Sequence, residues 1–88
     1  MPNLEPPMIV RSLFFAQYRE LAGADELRVE LPPGASVADL VAELRARANG
    51  LSSLPAAPLV AVNMDYAPLA TRLEHGDEVA FIPPVAGG

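Results

Sequence analysis

Cysteine is absent from this chain of 88 residues, which removes disulfides, thiolate metal sites and a cysteine nucleophile together and leaves stability to packing. A reducing compartment suits such a chain. Lysine is absent too, since all six basic residues are arginines, so no side chain of this protein can accept an isopeptide bond. Those arginines are scattered among 11 acidic residues for a net charge of −5. Nucleic acid, which calls for clustered cations to neutralise phosphates, is therefore not an expected partner, and a basic protein surface is. Long hydrophobic runs are missing as well. The longest, residues 54–62, is interrupted by Pro55 and Pro58 and falls far short of the roughly 20 residues that cross a bilayer. No membrane association is expected, and the cytoplasm is the expected location.

A chain of this length suits one domain that buries about 60–65% of its unfolded surface. Residues 1–7 hold three prolines without a basic cluster or an apolar stretch, which reads as a loose leader and not as a secretory signal. The domain proper is expected over residues 8–82, with an extended tail over 83–88. Residues 8–15 (MIVRSLFF) read as a strand with Val10, Ser12 and Phe14 on one face and Arg11, Leu13 and Phe15 on the other. Residues 16–22 favour a short helix stopped by Gly23. Residues 26–31 alternate, with Leu27, Val29 and Leu31 inward, and Pro32-Pro33-Gly34 closes that strand.

Ser36 followed by Asp39 is a capping-box variant that opens the main helix. Val37, Leu40, Val41, Leu44 and Ala48 then form one apolar stripe, and Gly50 is expected to end it. Residues 51–58 read as a loop and LVAVN (59–63) as a strand buried in a sheet. Residues 64–68 read as a turn region, residues 73–77 as a tight turn, and EVAFI (78–82) as the last strand, with Val79 and Phe81 inward. One mixed sheet of four or five strands on one main helix is the economical α+β solution, and that is the β-grasp, or ubiquitin-like, fold.

Side chains able to support catalysis are scarce. His75 is the only histidine and lies beside Asp77 in a turn, too few ligands for a metal site. Asp77 and Glu78 are neighbours that diverge on a strand edge, so they read as solvated charges and not as a catalytic pair. No phosphate-cradling glycine loop and no local nucleophilic triad occur. No metal and no bound cofactor are expected. Two features stand out against this background. Leu13, Phe15 and Ile82 share the outward face of the first and last strands, side by side in a β-grasp sheet, and exposed apolar clusters mark interfaces. The chain also finishes in Pro83-Pro84-Val85-Ala86-Gly87-Gly88, a side-chain-poor segment of about six residues that can reach roughly 20 Å. A frayed end is commoner at such a position than a reactive carboxylate, so position alone does not decide between them.

The segments LFFAQYRELAG (13–23), LVAVN (59–63) and LEHGDEVAFIPPVAGG (73–88) together resemble the small, sulfur-carrying subunit of molybdopterin synthase, the molybdenum cofactor biosynthesis protein D family. The resemblance covers residues 8–88, and its terminal motif GDEVAFIPPVAGG is specific as a whole, whereas a bare Gly-Gly is shared with ubiquitin-like proteins and with the thiamine-pathway sulfur carrier. It implies that an adenylating enzyme of the ubiquitin-activating type uses ATP to activate the Gly88 carboxylate. A persulfide donor then converts it to a thiocarboxylate. In the large synthase subunit, with which the family forms a heterotetramer, the tail gives its sulfur to a cyclic pyranopterin monophosphate to build the dithiolene. Gly88 and Gly87 would carry the chemistry, and Phe15, Tyr66, Ile82, Pro83, Pro84, Val85 and Ala86 would meet the partner. The alternatives are a carrier for thiamine thiazole or another sulfurated product, and a ubiquitin-like protein modifier.

Overall fold

Alternation in MIVRSLF sends Val10, Ser12 and Phe14 inward and Arg11 and Leu13 outward, and the segment forms strand β1, Met8–Phe14. In the computed structural model, which describes residues 5–47 and 50–84, it is followed by helix α1 (Ala16–Ala22), strand β2 (Glu26–Leu31) and helix α2 (Val37–Arg45). A 3-10 turn (Gly50–Ser53) then leads to strands β3 (Leu59–Val62), β4 (Asp65–Ala67) and β5 (Glu78–Ile82). The sheet order is β2-β1-β5-β3-β4. β1 and β5 run parallel, and every other pair is antiparallel. This is the β-grasp, with five strands.

The inward residues of four strands (Val10, Phe14, Val29, Leu31, Val60, Val79 and Phe81) meet the stripe Val37, Leu40, Val41 and Leu44 of α2 in one core, closed by Leu51 and Leu54. Phe14 and Phe81 lie opposite one another on β1 and β5 and stack with ring centroids 5.4 Å apart. The capping box forms as read: the Asp39 N–H donates to Ser36 Oγ at 3.3 Å and the Ser36 N–H to Asp39 Oδ2 at 2.9 Å. The next two orphan donors of α2, the N–H groups of Val37 and Ala38, reach the carbonyls of Thr71 and Leu69 at 2.9 Å each. Gly23 closes α1 in the left-handed conformation, as its position predicts. Ser12 Oγ is fully buried without a hydrogen-bond partner, a burial that typically costs about 1–3 kcal/mol.

Four expectations need correction. β1 stops at Phe14, and Phe15 is instead the extended N-cap residue of α1, because Ala16 turns into the left-handed region at φ 49°. α2 ends at Arg45 with Ala46 as its cap, so Gly50 does not terminate it. Gly50 opens the 3-10 turn, where a Cβ would fall 2.6 Å from the Leu21 carbonyl oxygen of α1, a distance that only glycine tolerates. Ala48, the last member of the proposed stripe, lies outside the described residues. Residues 64–68 are more than a turn: Asn63 and Met64, at φ 49° and 75°, form a two-residue hairpin turn into β4. Finally, Asp77 is not merely solvated. Its carboxylate accepts from Asn63 Nδ2 at 2.9 Å and from the Glu74 N–H at 2.8 Å, pinning the hairpin to the turn before β5.

Candidate functional site

α2 covers one face of the sheet, and among the described residues no helix covers the other. Its apolar residues come from four strands and from the entry to α1. Phe15 is 50% exposed, Leu59 53%, Tyr66 72%, and Met64, in the hairpin turn, 89%. Leu13 and Ile82 are half-buried beside them, Leu13 opposite Ala80 and Ile82 opposite Leu59. The backbone explains why Phe15 stays outside. After Phe14 enters the core, alternation turns Phe15 away, and the strained Ala16 swings the chain into α1 before a further strand residue can follow.

Phe15, Tyr66 and Ile82 thus belong to one face of the sheet. Pro83, half-buried, and Pro84, exposed, follow Ile82 directly, so the chain leaves β5 next to an outward residue of this face. A cleft of about 300 Å³ lies at that exit, lined among others by Tyr18, Pro58, Leu59, Ile82 and Pro84. Val85, Ala86, Gly87 and Gly88 lie outside the described residues. Leu59 and Met64 were not anticipated. The strand LVAVN was read as buried throughout, yet only its Val60 and Val62 face the core, and the alternation that places them there also puts Leu59 outside. Met64 carried no such signal, because a residue in a turn has no face until the turn type is known.

Charged residues border the patch on the β2 side. Arg11 donates through Nε and Nη2 to the two carboxylate oxygens of Glu26 at 3.4 Å, and its Nη2 lies 3.3 Å from Glu78 Oε2. The hydrogen bond to Glu26, together with the negative charges of Glu26 and Glu78, raises the Arg11 pKa further above its ordinary value. Glu78 is therefore paired and not solvated. The partly exposed setting of these pairs makes their contribution to stability small, so their effect is to fill that side of the face with satisfied charges. His75 remains on the surface, where its Nδ1 accepts the Ile9 N–H at 3.0 Å. Among the described residues no cluster of His, Asp and Glu could hold a metal ion, and no helix is long and apolar enough to cross a membrane.

The arrangement can bind a protein surface and present the chain that leaves β5. Comparison with known proteins agrees in kind. Residues 12–88 match the ThiS family. The molybdopterin synthase sulfur carrier subunit of Chlamydomonas reinhardtii is 40% identical over 83 residues, which cover 92% of this chain and all of that one. Among solved structures, SAMP1 from Haloferax volcanii superposes with a TM-score of 0.80 at 31% identity, covering 91% of this chain and 99% of its own. A complex of subunits 1 and 2 of the molybdopterin-converting factor from Helicobacter pylori contains a chain with a TM-score of 0.66 at 26% identity, covering 92% of this chain and all of that one. With a family match across most of its length and a relative this similar from end to end, the chain belongs to the ThiS family, among the sulfur carrier subunits of molybdopterin synthase.

Proposed function

We propose that this protein carries sulfur as a thiocarboxylate on Gly88 and delivers it, docked on a large synthase subunit, to a cyclic pyranopterin monophosphate. The observation that carries the reading is the position of the apolar face. Phe15, Leu59, Tyr66 and Ile82 surround the point where β5 ends, so a partner seated there lies beside the root of the tail. The four residues beyond Pro84 can span up to about 14 Å, enough to enter an active site next to such an interface.

The chemistry assigns the remaining roles. A carboxylate is a poor electrophile until one oxygen becomes part of a leaving group. ATP, used by an adenylating partner of the ubiquitin-activating type, converts the Gly88 carboxylate to an acyl-adenylate and releases pyrophosphate. The terminal sulfur of a persulfide donor displaces AMP to give an acyl disulfide, and a second thiol on the donor attacks the donor's own sulfur, breaking the sulfur–sulfur bond and leaving the thiocarboxylate on Gly88 and a disulfide on the donor. The acids, bases and cations that handle pterin and phosphate reside on the partners, and this chain binds no cofactor of its own. The Helicobacter pylori complex of subunits 1 and 2 supports a large-subunit partner. The working compartment is the cytoplasm, and one large and one small subunit, each twice, make the assembly.

Intact mass of the protein isolated from its source is the test. One oxygen exchanged for sulfur is the expected result, and deletion of Gly88 should abolish dithiolene formation in a reconstituted assay while leaving the melting temperature unchanged. A truncated chain that still supports the product would overturn the proposal. The likeness to SAMP1, named elsewhere as a small archaeal modifier protein, favours a second reading in which Gly88 is joined to amines of other proteins. Isopeptide adducts in place of the sulfur exchange would select it. Sulfur delivery to a thiazole synthase, with none to the pterin, would move the chain to the thiamine pathway.

A further inference from the structure

The outer face is not evenly apolar. One row of directly opposed residues crosses four strands: Leu13 on β1, Ala80 on β5, Ala61 on β3 and Tyr66 on β4. Opposed residues on adjacent strands project to the same side, and strands lie about 4.8 Å apart, so Leu13 and Tyr66 stand roughly 14 Å from one another. Between them are two methyl groups. On the tail side of this row Ile82 faces Leu59, and on the other side Glu78 faces Arg11, with which it is ion-paired at 3.3 Å. Ala80, which is partly exposed, is therefore the floor of a notch between longer side chains. Ala61 beside it is only 7% exposed and is not a member of the core cluster, so side chains of the outer face cover it and leave Ala80 as the open position.

We propose that this notch determines partner specificity by accepting one large apolar side chain from the docking surface of the large subunit, an inference that rests on the docking role of this face. The chemistry of the lining selects the occupant. Leu13, Tyr66, Ile82 and Leu59 offer carbon, and the carboxylate of Glu78 is already held by Arg11, so the site has no spare charge for a cationic or anionic group. A partner without the projecting side chain would leave the alanine floor facing either an empty gap or water with no polar partner, and both forfeit affinity. Discrimination between competing partners then depends on one position of each partner's surface.

The test measures binding of the full chain to the large subunit by titration calorimetry, with melting temperature followed in parallel. Ala80→Leu fills the notch and should weaken binding about tenfold or more, because the displaced knob must clash or withdraw. Ala80→Ser keeps the notch open and should bind within about threefold of the parent protein. If leucine lowers the melting temperature, Ala80→Val, a smaller filling with a strand-favouring residue, takes its place. Phe15→Asp serves as the control for the face itself. Wild-type binding by the filled variants together with lost binding by Phe15→Asp overturns the notch and leaves the docking face intact. Wild-type binding by all of them overturns both.

Discussion

Phe14 and Phe15 are adjacent and chemically identical, and they sit in opposite environments. Phe14 is 2% exposed and stacks on Phe81, whereas Phe15 is half-exposed on the far side of the sheet. Truncating Phe14 to alanine should therefore cost about 3–5 kcal/mol, read from a denaturant melt, because the core cannot close over the lost ring. Phe15→Asp should leave that melt within about 0.5 kcal/mol of the parent and instead weaken association with the large subunit. A reversed pattern would show that the strand register is inverted. At this scale the sequence was informative wherever alternation held. Val10, Phe14, Val79 and Phe81 could be placed by parity alone, and so could the outward Phe15 and Ile82. It was silent where a residue's role depends on distant chain. Asp77 could not be read as a clamp on Asn63, 14 positions earlier, nor Gly50 as a glycine required by the carbonyl of Leu21, since neither contact has a local signature.

Elements were legible in proportion to their length and their punctuation. α2 carries a capping box and a stripe of Val37, Leu40, Val41 and Leu44, and α1 ends at a left-handed glycine, so both were visible before folding. β4 was not, because three residues between a turn and Pro68 are too few to show a period. Its hairpin turn also hides itself. The two-residue turn with positive φ at both positions favours Asn-Gly, and this chain has Asn63-Met64, the methionine at φ 75°. An L-residue in that region is strained by roughly 1–2 kcal/mol, so Met64→Gly should raise stability by about 0.5–1 kcal/mol after the extra unfolded-state entropy of glycine is counted. Thermal melts of the two proteins measure this directly. An unchanged or lower melting temperature would mean that Met64, exposed as it is, contributes packing that the turn strain conceals.

For the whole molecule, the net charge of −5 makes the surface acidic on balance, and the paired cluster of Arg11, Glu26 and Glu78 borders the apolar face on one side. Such a surface steers toward a basic partner, and steering acts on the encounter more than on the finished complex. Raising salt from about 50 to about 500 mM should slow association with the large subunit about tenfold while the dissociation rate changes little, as stopped-flow measurement would show. A dissociation rate that rises as steeply as the association rate falls would place the charges inside the interface. The fold class was legible because the order of strands and helices admits few arrangements. The patch was legible only in part, since Leu59 comes to it from a strand whose depth in the sheet no local pattern declares.

The sheet places its latest-made strand in the middle. β5 separates β1 from β3, and its pairing with β1 joins residues as far apart as Arg11 and Glu78. Closing so long a loop is entropically unfavourable and slow, and nothing before β5 can substitute for it. On a translating ribosome the early pair of β1 and β2, joined through α1, therefore waits without its central neighbour. Phe15 and Tyr66, which the finished sheet holds on one face, then belong to separate pieces of chain. A surface that depends on all of these strands is therefore complete only once β5 has taken its central place.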